Sequence, residues 1–302
     1  MGLVSVVGLV LHPGRDCNPA MDMITDWARD RNVTVLGLDG ETKRISGDVI
    51  TCTPQAMAQS ADLLVSLGGD GTMLRTMRLA STGRAPVLGV NVGRLGFLAE
   101  VDIPDLHDAL SAIDQHQFTT EPRAAVMATL AGQPAAAVSD TAVNATAFNA
   151  TAFNDIALAR IPGNGRIAAV ELWVEGNPFV RYAADAVIVA TPTGSTAYSF
   201  SAGGPIVSPS AEGLLVTPVA PHSAFNRSLF LSSGEKLALI VLPVSGEVAV
   251  EADGIVVGHA RPGDTLDLTL LPAAAEVVRL GRTTFYQRAQ RRLRLTGSAE
   301  VE

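Results

Sequence analysis

The sequence is poor in lysine, in cysteine and in long apolar runs, and each shortage excludes a class of protein. Only two lysines occur, Lys43 and Lys236, and no G-x-x-x-x-G-K-[ST] motif is present, which excludes a P-loop phosphate site. Two cysteines, Cys17 and Cys52, cannot form a disulfide framework and lack metal-ligand spacing. No apolar run reaches the ~18 residues that a membrane-spanning helix needs. We therefore expect a cytoplasmic protein without a membrane partner.

Charge and histidine placement narrow the choice of ligand. The net charge is −8, whereas nucleic-acid-binding proteins usually carry a basic face, so we expect no nucleic-acid partner. The five histidines are scattered without the spacing of a metal site. A phosphate-bearing ligand would need local backbone dipoles, a few arginines and Mg²⁺ to overcome the unfavourable overall field.

The order of short apolar runs and amphipathic stretches predicts two domains. In residues 1–122, four strands alternate with helices, which predicts an α/β domain with a mostly parallel, Rossmann-like sheet. Residues 123–282 hold strand after strand with few helical patterns, which predicts a β-rich domain of packed sheets. Thr283–Leu295 is amphipathic and predicts a final helix. We expect residues 283–302 to return to the first domain.

The strongest local pattern is LLVSLGGDGTMLR at Leu63–Arg75. An apolar strand leads into the turn Gly68–Gly71, and Thr72 opens a helix. Glycines let the backbone turn sharply and approach a ligand, and the amides that enter a helix form a natural phosphate site. Asp70 follows the carboxyl end of a strand, where ligands of open α/β sheets bind. The alternative is a plain strand-to-helix turn with Asp70 as its N-cap.

Two further patterns combine hydroxyl, amide and carboxylate groups. ATPTGSTAYSFSAGGPIVSP (Ala190–Pro209) places a hydroxyl-rich turn and Tyr198 after a strand, which suits ribose, phosphate and a base, although such clusters are often plain loops. Asn154 and Asp155 begin another strand, where an Asx-turn is the local alternative. Tandem NATAF copies at 144–148 and 149–153 make the asparagine ambiguous. Only Asn154 is followed by an acid, so we choose it, and we interpret the duplication as an extended loop.

A weak dinucleotide fingerprint occurs at Gly163–Ala168, which fits G-x-G-x-x-A. The fingerprint should lie between a strand and a helix, but the residues that follow alternate as a strand does. We interpret this segment as a hairpin turn.

Taken together, these segments resemble the NAD kinase family. The matching runs occur in the family's order and are LGGDGTMLR, NVGRLGFLAEV (Asn91–Val101), FNDIALAR (Phe153–Arg160), Asp185 and VATPTGSTAYSFSAGGPIVSP, with weaker matches at PHSAFNR (Pro221–Arg227) and EADG (Glu251–Gly254). The G-G-D-G element alone is shared with diacylglycerol- and sphingosine-type lipid kinases. The TPTGSTAY run together with Asn-Asp is more specific to NAD kinases.

The resemblance implies a Mg²⁺-dependent transfer of a terminal phosphoryl group, from ATP or polyphosphate, to the 2′-hydroxyl of the adenosine ribose of NAD. Asp70 corresponds to the aspartate that binds this hydroxyl and serves as general base. The positions implied to contact NAD are Asp70, Gly71, Phe97, Leu98, Asn154, Asp155, Asp185, Thr193, Thr196, Ala197, Tyr198, Ser201 and His222. The positions expected to bind the phosphate donor are Gly68, Gly69, Gly71, Thr72 and Arg75.

The resemblance also implies a homodimer or homotetramer, and it names no protein ligand for the metal. Ala184 and Ala186 flank Asp185 where the family usually carries glycines, which puts the conformation of that loop in doubt. Three alternatives are held against this function: a lipid kinase that shares the G-G-D-G element, an NAD-binding sensor without turnover, and an NAD(H)-using oxidoreductase, for which the Gly-rich fingerprint at Gly163–Ala168 is badly placed.

Overall fold

The computed structural model describes residues 4–42, 48–93, 96–130, 148–163, 167–223, 225–281 and 283–295, and the chain divides into two compact units. Unit 1 takes the residues up to Arg123 and those from Ala274 onward, and unit 2 takes Ala124–Ala273. The expected boundaries were 122 and 282. The second boundary falls earlier because it lies inside a single long strand, Thr265–Arg279.

Unit 1 is a parallel sheet with helices. Its elements are β1 (Val6–Leu11), α1 (Asn18–Arg31), β2 (Thr34–Leu38), β3 (Ile50–Cys52), α2 (Pro54–Ser60), β4 (Leu63–Gly68), α3 (Asp70–Ala80), β5 (Val87–Asn91), β6 (Val101–Asp102), α4 (Leu106–Asp114), the start of β7 (Thr119–Leu130), the end of β18 (Thr265–Arg279) and α6 (Phe285–Leu293). The strands pair in parallel in the order β3-β2-β1-β4-β5, and β6 and β18 also pair with β5 in parallel.

The strand order of unit 1 reverses direction between β1 and β4. From β1 the chain moves outward through β2 and β3, then returns to place β4 on the other side of β1. In open α/β sheets, ligands bind outside the carboxyl ends of the strands at such a reversal. Leu11 and Leu67 are register partners at this edge, so the turn that carries Asp70 begins at the reversal point.

Burial explains the helices of unit 1. In α3, Met73, Leu74 and Met77 are buried at helical spacing, whereas Arg78 is partly exposed. The helix α1 buries Met21, Ile24 and Ala28 in an apolar core that includes side chains of β1, β4 and α4. No helix within the described segments is long and apolar enough to cross a membrane.

Unit 2 consists of antiparallel sheets that share an apolar core, with a second, smaller apolar cluster beside it. Its elements are the rest of β7, β8 (Phe148–Ala152), β9 (Asp155–Arg160), β10 (Ala168–Val174), β11 (Asn177–Ala184), β12 (Ala186–Ala190), α5 (Tyr198–Ser201), β13 (Gly213–Val219), β14 (Leu229–Ser232), β15 (Leu237–Val241), β16 (Val248–Ala252), β17 (Ile255–Ala260) and the start of β18. One sheet has the order β14-β13-β12-β9-β16-β17, and a second contains β11-β10-β15-β18. Buried residues of both sheets share the core. The expected fold class is confirmed.

Two local interpretations are wrong. The segment after β9 is not a hairpin, because β9 pairs with β12 and β16 whereas β10 pairs with β11 and β15. It connects two different sheets, and residues 164–166 lie outside the described part. The second NATAF copy is not loop either, since Asn149–Ala152 belongs to β8 and pairs with β7. Residues 144–147 of the first copy lie outside the described part.

Candidate functional site

The carboxylate of Asp70 is held by two backbone amides. Phe97 N donates to Asp70 Oδ2 at 3.1 Å, and Leu98 N donates to Asp70 Oδ1 at 3.0 Å. Asp70 opens α3 immediately after β4, and Phe97 and Leu98 lie in the segment that follows β5. Because β4 and β5 are paired neighbours, the two predicted segments meet at one edge of the sheet. Each carboxylate oxygen keeps further acceptor capacity for a ligand hydroxyl.

Gly96 lets this segment approach Asp70. A Cβ at position 96 would lie 2.7 Å from Asp70 Cγ and 2.9 Å from Oδ2, which is closer than side chains pack. Only a residue without a side chain leaves the carboxylate in place. Gly96 was not among the predicted site residues, although it belongs to the NVGRLGF run, which was matched to the family.

The first turn of α3 offers its amides to a ligand. Its N-cap residue, Gly69, has no side chain, and no side-chain cap is formed there. Thr72 is buried, and within the described part its Oγ1 has no hydrogen-bond partner. A Cβ at Gly68 would lie 2.6 Å from Thr72 Cβ, whereas Cβ atoms at Gly69 and Gly71 would meet nothing within 4 Å. The glycines and Thr72 that were predicted to bind the phosphate donor therefore lie at the N-terminus of α3, which is the positive end of the helix dipole. The backbone at Gly69 and Gly71 borders open space.

Arg75 lies on α3 but is already paired. Its Nη1 forms an ion pair with Glu41 Oε1 at 2.6 Å, and its Nη2 donates to Leu11 O at 2.6 Å. Glu41 Oε2 also accepts from Leu11 N at 2.8 Å. The arginine thus lies at the carboxyl end of β1, with its charge balanced by Glu41. Its predicted contact with the phosphate donor stays a prediction.

In unit 2, the loop that carries Asn154 and Asp155 is held by the carboxylate of Asp253. Asp253 Oδ1 accepts from Asn154 N at 2.7 Å and from Asp155 N at 3.3 Å, and Oδ2 accepts from Phe153 N at 3.2 Å. The pairing of β16 with β9 brings the EADG run, which begins with the last two residues of β16, to this loop. Asp253 was not predicted as a site residue.

The hydroxyl-rich turn packs against the other side of the same loop. Thr191 Oγ1 donates to Phe153 O at 2.6 Å, and Thr191 N donates to Asn154 O at 2.8 Å. A Cβ at Gly194 would lie 2.6 Å from Asn154 Cα, so glycine is required for this close approach. The second and third predicted patterns are therefore joined by a hydrogen bond from a side-chain hydroxyl and by backbone contacts.

Carboxylates gather around Asp155 and Tyr198. Asp155 is 4% exposed, and burial, with the charges of Asp253 and Glu251, raises the pKa of its carboxyl to about 7. Burial and the charges of Glu251, Asp155 and Asp185 raise the pKa of the Tyr198 hydroxyl. Tyr198 is 41% exposed, so its ring can stack on a base.

The remaining predicted residues of unit 2 differ in what they already contact. Thr196 Oγ1 donates to Thr193 O at 3.4 Å, and Ser201 Oγ donates to Ala197 O at 3.4 Å, so both hydroxyls make long local contacts. Asp185 Oδ1 accepts from Arg160 Nε at 2.6 Å.

His222 is exposed, and its backbone N donates to Ala183 O at 2.7 Å. This bond ties the loop that carries His222 to the end of β11, close in sequence to Asp185. The contact of the His222 side chain with NAD stays a prediction.

Comparison with known proteins identifies the family. Residues 7–118 match the model of the ATP-NAD kinase N-terminal domain, and residues 153–280 match that of the ATP-NAD kinase C-terminal domain. The chain belongs to the NAD kinase family. The two matches cover most of unit 1 and unit 2, and they include the G-G-D-G turn, the Asn-Asp loop and the hydroxyl-rich turn.

Relatives within the NAD kinase family match along nearly the whole chain. NAD kinase 1 of Streptomyces avermitilis is 39% identical over 97% of this chain and 88% of its own length. NAD kinase of Desulforamulus reducens is 32% identical over 96% of this chain and 98% of its own length.

Two solved structures share the fold. A yeast NADH kinase in complex with NADH superposes with a TM-score of 0.84 at 24% identity, and the match covers 100% of this chain and 91% of that one. An NAD kinase from Archaeoglobus fulgidus in complex with ATP has a TM-score of 0.69 at 24% identity, covering 97% of this chain and 100% of that one. At 24% identity, this similarity shows a shared fold and no more.

Proposed function

We propose that the chain phosphorylates NAD at the 2′-hydroxyl of its adenosine ribose to give NADP. The observation that carries this proposal is the carboxylate of Asp70, oriented by the amides of Phe97 and Leu98 at the start of an uncapped helix. Both the acceptor hydroxyl and the phosphate donor can bind there. Relatives named NAD kinase at 32–39% identity along the chain support the same reaction.

Asp70 orients the acceptor hydroxyl and accepts its proton. Phosphoryl transfer passes through a loose transition state, so placing the hydroxyl in line with the transferred group matters more than early proton removal. The two hydrogen bonds from the backbone amides fix the plane of the carboxylate. The proton of the hydroxyl moves to Asp70 late in the transfer. The role of Asp70 as the catalytic residue rests on this geometry and on the family resemblance.

The first turn of α3 binds the terminal phosphates of the donor. Backbone amides at a helix N-terminus favour an anion, and the buried hydroxyl of Thr72 supplies a further polar group. Gly69 and Gly71 allow close approach of the donor to the backbone, whereas Gly68 makes room for the side chain of Thr72. We propose ATP or inorganic polyphosphate as donor, and we place Arg75 at the margin of this site because Glu41 already balances its charge.

Unit 2 binds the dinucleotide. We propose that Asn154 and Asp155 hydrogen-bond the hydroxyl or amide groups of NAD, and that Tyr198 stacks on a base. Because the pKa of Asp155 is raised to about 7, this side chain is partly protonated near neutral pH and can donate as well as accept. The other proposed NAD contacts are Asp185, Thr193, Thr196, Ala197, Ser201 and His222.

A metal ion is part of the expected chemistry, but the described residues do not provide a cage for it. Within them, no group of three or more His, Cys, Asp or Glu side chains is placed to hold a metal ion. We propose that the enzyme is cytoplasmic and works as a homodimer or homotetramer, without nucleic acid or membrane, as the resemblance and the net charge of −8 support.

The direct test is product formation by the purified chain. NAD or NADH is incubated with Mg²⁺ and either ATP or polyphosphate, and NADP(H) is measured with an NADP-specific dehydrogenase. We expect NADP to form with NAD and at least one donor. A chain that binds NAD in calorimetry but forms no product with either donor would be a sensor, and the proposed function would be wrong.

A further inference from the structure

A largely buried ion-pair cluster, with Glu121 as its half-exposed member, lies next to the segment 96–98 that orients Asp70. It contains Glu100, Glu121, Arg123, Arg279 and Arg288, all in unit 1. Three arginines face two carboxylates, so the cluster carries an excess positive charge. Charges removed from water are expensive, and well-packed apolar residues are often at least as stabilising. Stability alone therefore explains this cluster poorly.

Glu100 joins the cluster to the segment through the chain, two residues after Leu98. Its side chain is 1% exposed. One carboxylate oxygen accepts from Arg279 Nη1 at 2.8 Å and from Arg288 Nη1 at 3.3 Å, and the other accepts from Leu280 N at 3.0 Å. Glu100 N also donates to Gly89 O at 2.9 Å, which ties the residue to β5.

Arg279 reaches the segment directly. Its Nη1 donates to Leu98 O at 3.5 Å in addition to Glu100, and its Nε donates to Glu121 Oε2 at 2.6 Å. Leu98 thus accepts from Arg279 through its carbonyl and donates to Asp70 through its amide. The planar guanidinium holds several acceptors in a fixed geometry, which a lysine cannot reproduce.

We propose that Glu100 and Arg279 are positioning residues for phosphoryl transfer, which act by holding the amides of Phe97 and Leu98 against Asp70. The proposal rests on the function proposed above. The two residues lie 30 and 209 positions from Asp70 in the chain, and within the described residues they are linked to it through the segment 96–98. We expect their effect to fall mainly on the turnover step, because the segment aligns the carboxylate of Asp70, and to fall less on the affinity for NAD, which residues of unit 2 would mostly provide.

A double-mutant cycle tests this directly. Glu100→Gln keeps the shape of the side chain and removes its charge, and we expect kcat to fall about 10- to 100-fold while KM for NAD stays within about twofold. In the background of Asp70→Asn, the same substitution should cost less than about threefold, because the aligned carboxylate is already lost. The kcat of Arg279→Lys should lie between that of Glu100→Gln and that of the parent chain. Rates are expressed per folded molecule, as measured by circular dichroism.

Two comparisons separate positioning from general destabilisation. Asp114→Asn breaks the Arg31–Asp114 ion pair, which links α1 and α4, and should lower the unfolding midpoint without changing kcat per folded molecule. If Glu100→Gln does not fold, Arg279→Lys carries the same cycle. Equal losses from Glu100→Gln or Arg279→Lys with and without the Asp70 carboxylate, or an unchanged kcat, would overturn the proposal. If the parent chain forms no NADP, the proposed function itself fails, and the positioning role falls with it.

Discussion

Leu98 and Asp70 are joined by a hydrogen bond of 3.0 Å from a backbone amide to a carboxylate oxygen, across 28 positions of the chain. The bond connects the segment after β5 with the turn after β4, and Phe97 adds a second bond of the same kind. A carboxylate that is fixed by backbone groups cannot turn to follow its ligand. Its direction is set by the fold, so substitutions that shift the backbone segment should act as substitutions of the carboxylate do.

Gly96→Ala should displace the Asp70 carboxylate. The added methyl group would lie 2.7 Å from Asp70 Cγ, so either the segment or the carboxylate must move. We expect kcat to fall about 10- to 100-fold, since small displacements of a catalytic group have effects of this size. Steady-state NADP formation is the measurement. Gly234→Ala is the matched control, because its methyl group would meet nothing within 4 Å, and it should retain full activity. Equal activity of the two variants would contradict the steric role of Gly96.

Gly68→Ala and Gly71→Ala should separate folding from donor binding. A methyl group at position 68 would lie 2.6 Å from Thr72 Cβ inside the protein. We therefore expect the free energy of unfolding of Gly68→Ala to fall by about 1–3 kcal/mol, which lowers its unfolding midpoint. At position 71 the methyl group points into open space. The unfolding midpoint should change little there, whereas KM for the donor should rise about tenfold or more if phosphates approach this backbone. Urea denaturation and donor titrations measure the two effects, and a large loss of stability in Gly71→Ala with an unchanged donor KM would contradict this account.

Asp155 should make the folded protein less stable as the pH rises. The pKa of its carboxyl is about 7 in the folded chain against an ordinary value of 3.8. Between these values, the folded chain binds more protons than the unfolded chain. The contribution of Asp155 to stability is therefore fully present below about pH 4 and is lost as the pH rises to about 7.

Asp155→Asn removes this titration and should flatten that part of the pH dependence. Urea midpoints at about pH 5 and about pH 8 are the measurement, and the fall between them should be smaller in Asp155→Asn than in the parent chain. Asp253→Asn is the companion variant. Removal of that charge should lower the pKa of Asp155, so the fall should end at a lower pH. An identical fall of the urea midpoint in all three proteins would show that the pKa of Asp155 lies near its ordinary value of 3.8.

Local patterns were sufficient to predict much of this fold. The apolar run that ends at Gly68 and the buried spacing of α3 define β4, the turn and the helix, and each of these features lies within a few consecutive residues. In contrast, β3 has three residues with exposed or half-exposed side chains, so no apolar run marks it. The helix α2 was also missed, although Thr53 as N-cap and Pro54 in the first turn were a readable signal.

The supporting residues of the site could not be predicted locally. Asp253 holds a loop that begins 100 positions earlier, and only the pairing of β16 with β9 brings the two together. Gly96 and Arg279 depend in the same way on neighbours that are distant in sequence. The family resemblance pointed to the segments that contain Gly96 and Asp253, but the contacts that give these residues a role are three-dimensional.

The most direct measurement of the central claim is the turnover of Asp70→Asn. Asparagine has nearly the shape of aspartate and keeps an oxygen that can accept a hydrogen bond from one of the two amides. It cannot take a proton from the ribose hydroxyl. NADP formation by the parent chain and by folded Asp70→Asn is followed at saturating NAD and donor. We predict a loss of about 100-fold or more in kcat with the binding of NAD retained. A variant that keeps kcat within about tenfold of the parent chain would contradict the assignment of Asp70 as the proton acceptor.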